Sequence, residues 1–145
     1  MSIQLVTYDV YMALIDIEGS LVPVVQKVLN LDTKLSTAFV RLWRTKQMER
    51  AASSNSLGNN RTSFRECTAM ALDYCLGHHK MMLSPDIHRD LVFAWDTMKA
   101  WPEADAAIAA VKEKGYQNAI LSNGDQDMLE AVARNFSPKT FDHIL

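Results

Sequence analysis

The chain opens with an apolar run, Ile3 to Tyr11 (IQLVTYDVY), in which Ile3, Leu5 and Val6 are followed by β-branched and aromatic residues. Such a short run predicts a buried strand, and Asp9 interrupts its C-terminal end. After Gly19 the period changes. LVPVVQKVLN, TKLSTAFVRLWRTKQMERA, TSFRECTAMALDYCLG and SPDIHRDLVFAWDTMK each carry apolar residues three and four apart, the spacing that lays one apolar stripe along a helix. Four successive helices are predicted. Ser84-Pro85-Asp86 offers an N-cap followed by Pro at the first helical position, and Gly77 is placed to end the helix before it. The polar stretch Ser53 to Arg61 (SSNSLGNNR) predicts a loop.

From Pro102, EADAAIAAVKEK predicts a helix that stops at Gly115. A strand in YQNAILS, a turn in SNGD, a helix in QDMLEAVARNF and a short strand from Phe141 to Leu145 follow. The order is strand, helical insertion, helix, strand, helix, strand. It predicts an α/β fold with a parallel sheet and a helical excursion after the first strand.

Composition narrows the class of partner. The 145 residues suit one domain with an inserted subdomain, and 48% hydrophobic with 22% charged residues is an ordinary globular balance. A formal charge of -2 supplies no attraction for nucleic acid or an anionic membrane, which points to small molecules or proteins. Cys67 and Cys75 lie eight apart with no CxxC, so buried free thiols are expected rather than zinc ligands. No basic leader precedes an apolar run, and no stretch reaches the ~18 apolar residues of a membrane span. The expected setting is soluble, reducing and cytoplasmic. The eight Met are expected mainly to fill core gaps.

In open parallel sheets, ligands bind at the carboxyl ends of the strands, where this chain places Asp9 and Ser122-Asn123-Gly124. A carboxylate there serves as a nucleophile, and a hydroxyl with the backbone N–H groups of the next helix holds an anion. Each has an ordinary alternative: a strand-end Asp is often a cap, and Ser-Asn-Gly a plain turn.

The run TYDVYMALID resembles the first motif of the haloacid dehalogenase superfamily, in which an aspartate after an apolar strand is followed by an aromatic residue, Gly, Thr and Leu. LWRTKQMER, TSFRECTAMALDYCLG and AILSNGDQDML resemble stretches of the (S)-2-haloacid dehalogenases in the same order. The resemblance implies a Rossmann-like core, residues 1–17 and 99–145, with an inserted helical cap over residues 18–98. It implies that Asp9 displaces halide, that Arg44 receives it, and that Ser122 and Asn123 bind the substrate carboxylate. Tyr11, Met12, Phe64 and Trp101 then become candidate substrate contacts, and Trp43 and Trp95 join Phe64 and Trp101 as candidates to line the cap and core crevice. No metal or cofactor is implied.

Two departures shape the expected function. Met12 and Ala13 stand where the family has Gly and Thr, and the chain stops at Leu145, before the family's lysine motif and acidic fourth strand. A truncated sheet of this kind is expected to turn over poorly as a hydrolase. The leading expectation is therefore a scaffold repurposed to non-hydrolytic isomerase, cyclase or lyase chemistry, with a biosynthetic pathway as its natural setting; a hydrolytic dehalogenase and a non-catalytic remnant are the alternatives. Without a fourth strand the first strand would form an open edge, which predicts a homodimer.

Overall fold

The computed structural model describes residues 4–56 and 61–145, so Ile3 and part of the predicted 53–61 loop lie outside the described residues. The chain divides into two compact units, Met1–Ser20 with Asp96–Leu145, and Leu21–Trp95.

The first unit is built on a three-stranded parallel sheet of order β1-β2-β3, with β1 at Leu5–Tyr8, β2 at Gln117–Ile120 and β3 at His143–Ile144. Tyr8 lies opposite Ile120, and Ile120 opposite Ile144, so the carboxyl ends of the strands align. β1 is shorter than predicted and is not buried. Leu5 is 40% exposed and Thr7 is exposed, because β1 forms one edge of the sheet among the described residues.

A buried asparagine ties this sheet together. Asn118 on β2 is fully buried; its Oδ1 accepts from the Tyr8 hydroxyl at 3.2 Å, and its Nδ2 donates to Ile108 O at 3.2 Å and Thr140 O at 3.3 Å. Its backbone N–H donates to Asp142 Oδ2 at 2.9 Å, and Asp142 in turn pairs with Lys112 at 2.7 Å. The buried residue is satisfied by partners from three separate segments of chain, as burial requires.

Two helices flank these strands in sequence. The first, α5 (Ala104–Glu113), ends before Gly115, the predicted stop, whose φ of +87° lies in the left-handed region. The second, α6 (Gln126–Ala133), carries buried Met128, Leu129 and Val132.

The helices α1 (Ile17–Leu29), α2 (Thr33–Ser56), α3 (Phe64–His78) and α4 (Pro85–Phe93) precede them, α4 running into a short 3-10 turn at Ala94–Thr97. In the second unit Phe39, Val40, Trp43, Leu72, Leu91 and Trp95 form the core, with the Trp43 and Trp95 rings edge-to-face at 5.4 Å.

Several boundaries differ from the sequence expectation. α1 starts at Ile17, four residues early, because Asp16 Oδ1 accepts from Gly19 N at 2.8 Å and supplies a cap. α2 runs through Ser53 to Ser56, where a loop is expected from the sequence; Ser56 Oγ donates to Ala52 O within the helix, and Ser54 Oγ accepts from Thr62 N at 2.7 Å. Gly77 does not end α3. The stop is Lys80 at φ +54°, with Met81 N donating to Leu76 O and Lys80 N to Gly77 O, a Schellman arrangement in which Lys takes the place usually given to glycine.

The methionine expectation also needs correction. Met98 and Met128 are fully buried, but Met48 and Met70 are exposed on outer faces of α2 and α3, and Met12 and Met82 are exposed outside the helices. Cys67 and Cys75 are buried free thiols, and burial pushes the Cys75 thiol up to about 12.

Candidate active site

Asp9 is the first residue beyond β1, and Ser122 the second beyond β2. Because the strands are parallel and in register, both side chains emerge at the same end of the sheet, and Leu121 N continues the ladder by donating to Tyr8 O at 2.9 Å. Ser122 Oγ donates to Asp9 Oδ1 at 2.8 Å, which orients the carboxylate while Asp9 remains exposed. An oriented, solvent-accessible carboxylate is suited to attack carbon.

The chain after Asp9 turns tightly, with Leu14 N and Ile15 N both donating to Val10 O at 3.0 and 3.2 Å. Met12 sits in this turn at φ +70°, a left-handed conformation that costs a non-glycine residue roughly 1–2 kcal/mol. Its side chain is 65% exposed, and its carbonyl accepts from Trp101 Nε1 at 3.4 Å. A second bond from Trp101 N to Leu14 O fixes Trp101 beside the turn.

Tyr11 is buried and connects this turn to the Ser122-Asn123-Gly124 loop. A Cβ added at Gly124 would stand 3.0 Å from Tyr11 Cε2 and 2.8 Å from Leu129 Cδ2, so Gly124 is needed for that close approach. Asn123 is exposed beside Ser122, and α6 begins three residues later with Asp125 at its N-cap. Among the described residues no three His, Cys, Asp or Glu side chains converge as a metal site would require.

The second unit carries the other predicted residues. Arg44 on α2 is half-buried, with its Cζ 5.9 Å from the Phe64 ring centroid and 6.0 Å from that of Trp95. Its Nη1 donates to Gln47 Oε1 at 2.6 Å. Gln47 is fully buried and donates from Nε2 to Thr68 Oγ1, and the backbone carbonyl of Thr68 accepts from Trp43 Nε1 at 2.9 Å. Arg41 and Arg50, on the same helix, are exposed.

The structure thus brings Asp9 to Ser122, Met12 to Trp101, and Arg44 to Phe64. It adds Gln47 and Thr68, which the sequence reading passed over as ordinary positions of amphipathic helices. The Arg44–Gln47 spacing of three was the available signal.

The chain matches the model of the haloacid dehalogenase-like hydrolase family over residues 12–145. It is 28% identical over 127 residues to (S)-2-haloacid dehalogenase 1 of Pseudomonas sp. strain CBS-3, covering 88% of this chain and 54% of that protein. With (S)-2-haloacid dehalogenase H-109 of Pseudomonas putida it shares 30% over 141 residues, 97% of this chain and 61% of the relative. The structure of L-2-haloacid dehalogenase from Xanthobacter autotrophicus superposes with a TM-score of 0.87 at 26% identity, covering 99% of this chain and 56% of that one. The same enzyme with chloropropionic acid covalently bound superposes at 0.85 with 25% identity, over 99% and 56% of the two chains. The chain spans between about half and three-fifths of the length of these relatives. No helix among the described residues is long and apolar enough to cross a membrane.

Proposed function

Because the chain belongs to the haloacid dehalogenase-like hydrolase family, we propose that it acts on small 2-haloacids as a hydrolytic dehalogenase, with Asp9 as nucleophile. The observation that carries this is the exposed Asp9 carboxylate at the end of β1, oriented through Oδ1 by Ser122. The relatives described above favour hydrolysis over the isomerase, cyclase or lyase chemistry expected from the sequence.

In the proposed reaction Asp9 Oδ2 attacks C2 of the substrate, and the carbon–halogen electron pair leaves as halide. The new C–O bond makes an ester. Water then attacks the ester carbonyl at Cγ of Asp9, the Cγ–O bond breaks, one water proton goes to the departing oxygen and the other to solvent, and the 2-hydroxy acid leaves with inverted configuration at C2. Arg44 takes the halide, since a guanidinium stabilises a departing anion.

Ser122 has one hydroxyl proton, which here is donated in a hydrogen bond to Asp9 Oδ1. Donation to a substrate carboxylate requires that hydroxyl to rotate, which releases Oδ1 of the nucleophile as the substrate seats. Asn123 and the backbone N–H groups opening α6 are the other proposed carboxylate donors.

Chloride release from (S)-2-chloropropionate tests the reading, together with mass analysis of the peptide carrying Asp9. Chloride release that Asp9→Asn abolishes supports it. An Asp9 ester that persists without turnover would establish displacement and remove the hydrolytic half. Neither chloride nor ester would end the proposal.

A further inference from the structure

We infer that Gln47 and Thr68 are positioning residues that hold the Arg44 guanidinium ready for an anion, through a buried hydrogen-bond chain whose direction is set by one hydroxyl proton. The inference rests on Arg44 being the anion-receiving group of the proposed function, and it concerns how that group is held.

The direction follows from counting protons. Thr68 Oγ1 donates to Phe64 O at 2.9 Å, one turn back on α3, and a threonine hydroxyl has a single proton. Towards Gln47 it is left only as an acceptor. The amide group of Gln47 therefore faces Thr68 with its NH₂, and its carbonyl oxygen is turned to Arg44, where Nη1 donates to it at 2.6 Å. Gln47 and Thr68 are both fully buried, so water does not substitute for either partner. Thr68 is anchored again through its carbonyl, which accepts from Trp43 Nε1 at 2.9 Å.

The choice of acceptor matters for function. An amide oxygen fixes the guanidinium without bringing a formal negative charge against it, whereas a glutamate of the same shape would place a carboxylate on Nη1. A methionine of similar size would accept no bond of comparable strength. The long arginine side chain is also ordered before any anion arrives, so less conformational freedom is lost on binding.

Iodide provides a probe that does not require turnover, because it quenches tryptophan emission and the Trp95 ring centroid lies 6.0 Å from Arg44 Cζ. Trp101, 39% exposed, would be quenched by collision alone, so the titrations are made on full-length Trp101→Phe protein at constant ionic strength. The expected result is saturable quenching in this background, lost in Arg44→Ala and weakened on the order of tenfold in Gln47→Glu and Thr68→Val. Thr68→Ser, which retains the hydroxyl, restores it; a purely structural role for Thr68 would not separate Ser from Val in anion affinity.

If Gln47→Glu and Thr68→Val bind iodide as tightly as the background while Arg44→Ala does not, the inference is overturned and the proposed role of Arg44 stands. If Arg44→Ala also binds unchanged, or the background shows no saturable component, both fall. Should melting curves show that Thr68→Val does not fold, Gln47→Glu, which preserves side-chain shape, decides between these outcomes.

Discussion

Met12 shows how one residue can contradict its local backbone and still be placed by its neighbours. At φ +70° it occupies a conformation suited to glycine, held there by the two hydrogen bonds that Leu14 N and Ile15 N donate to Val10 O and by Trp101 on its own carbonyl. Met12→Gly is expected to raise stability by up to about 1 kcal/mol, the relief of left-handed strain less the greater freedom of glycine in the unfolded chain. Urea unfolding midpoints check it, and a loss of stability would show that the methionine side chain contributes packing despite its 65% exposure. Gly124→Ala has the opposite sign: its Cβ would meet Leu129 and Tyr11, costing about 1–3 kcal/mol. Of the arginines on α2, Arg44→Ala is expected to reduce chloride release far more than Arg41→Ala or Arg50→Ala, both of which alter exposed side chains. Equal losses would remove Arg44 from the site. Asp9 and Ser122 were legible in the sequence because strand ends are readable from apolar runs. The Met12 strain was not legible from the residue type; the signal for it was the glycine that the resembled family carries at this position.

At the scale of elements, the helices were legible where a stripe and a cap agreed. Ser84 caps α4, with Pro85 at its first position as expected, while the Ser63–Glu66 capping box of α3 was readable from its spacing of three but passed over. The polar link among β2, α5 and the approach to β3 was not legible, because the partners of Asn118 lie 10, 22, 24 and 110 residues away. It makes a pH prediction. The Asn118 N–H and then the Lys112 ammonium hold the Asp142 carboxyl below its ordinary range. A lowered folded-state value means stability that is complete above the unfolded carboxylate pKa of about 4 and is lost as pH falls through the folded value. Asp142→Asn should therefore reduce stability at neutral pH and flatten its decline on acidification, measured by melting temperature between neutral and acidic buffers. An unchanged slope would show that other carboxylates dominate. Asn118→Leu, which removes the acceptor of the Tyr8 hydroxyl and the donor to Ile108 O and Thr140 O, is expected to cost about 1–3 kcal/mol.

For the molecule as a whole, the exposed edge of the sheet bears on assembly. Gln4 O accepts from Gln117 N and Tyr8 O from Leu121 N, so the backbone groups of the even-numbered residues Gln4, Val6 and Tyr8 turn towards β2. Strand geometry alternates these directions, which turns the N–H and C=O of Leu5 and Thr7 outward from the sheet. Leu5 is 40% exposed, and no Lys or Pro guards the strand from Leu5 to Tyr8. We expect the 145-residue chain to pair through this edge with a second copy, a two-fold arrangement in which the two β1 strands run antiparallel. Thr7→Pro tests this cleanly, because it removes an outward N–H and leaves the bonds to β2 in place. Light scattering at low concentration should report a dimer for the parent chain and a monomer for Thr7→Pro, with Leu5→Lys shifting the same way. A parent chain that is monomeric, or a dimer indifferent to both substitutions, would exclude the β1 edge as the interface.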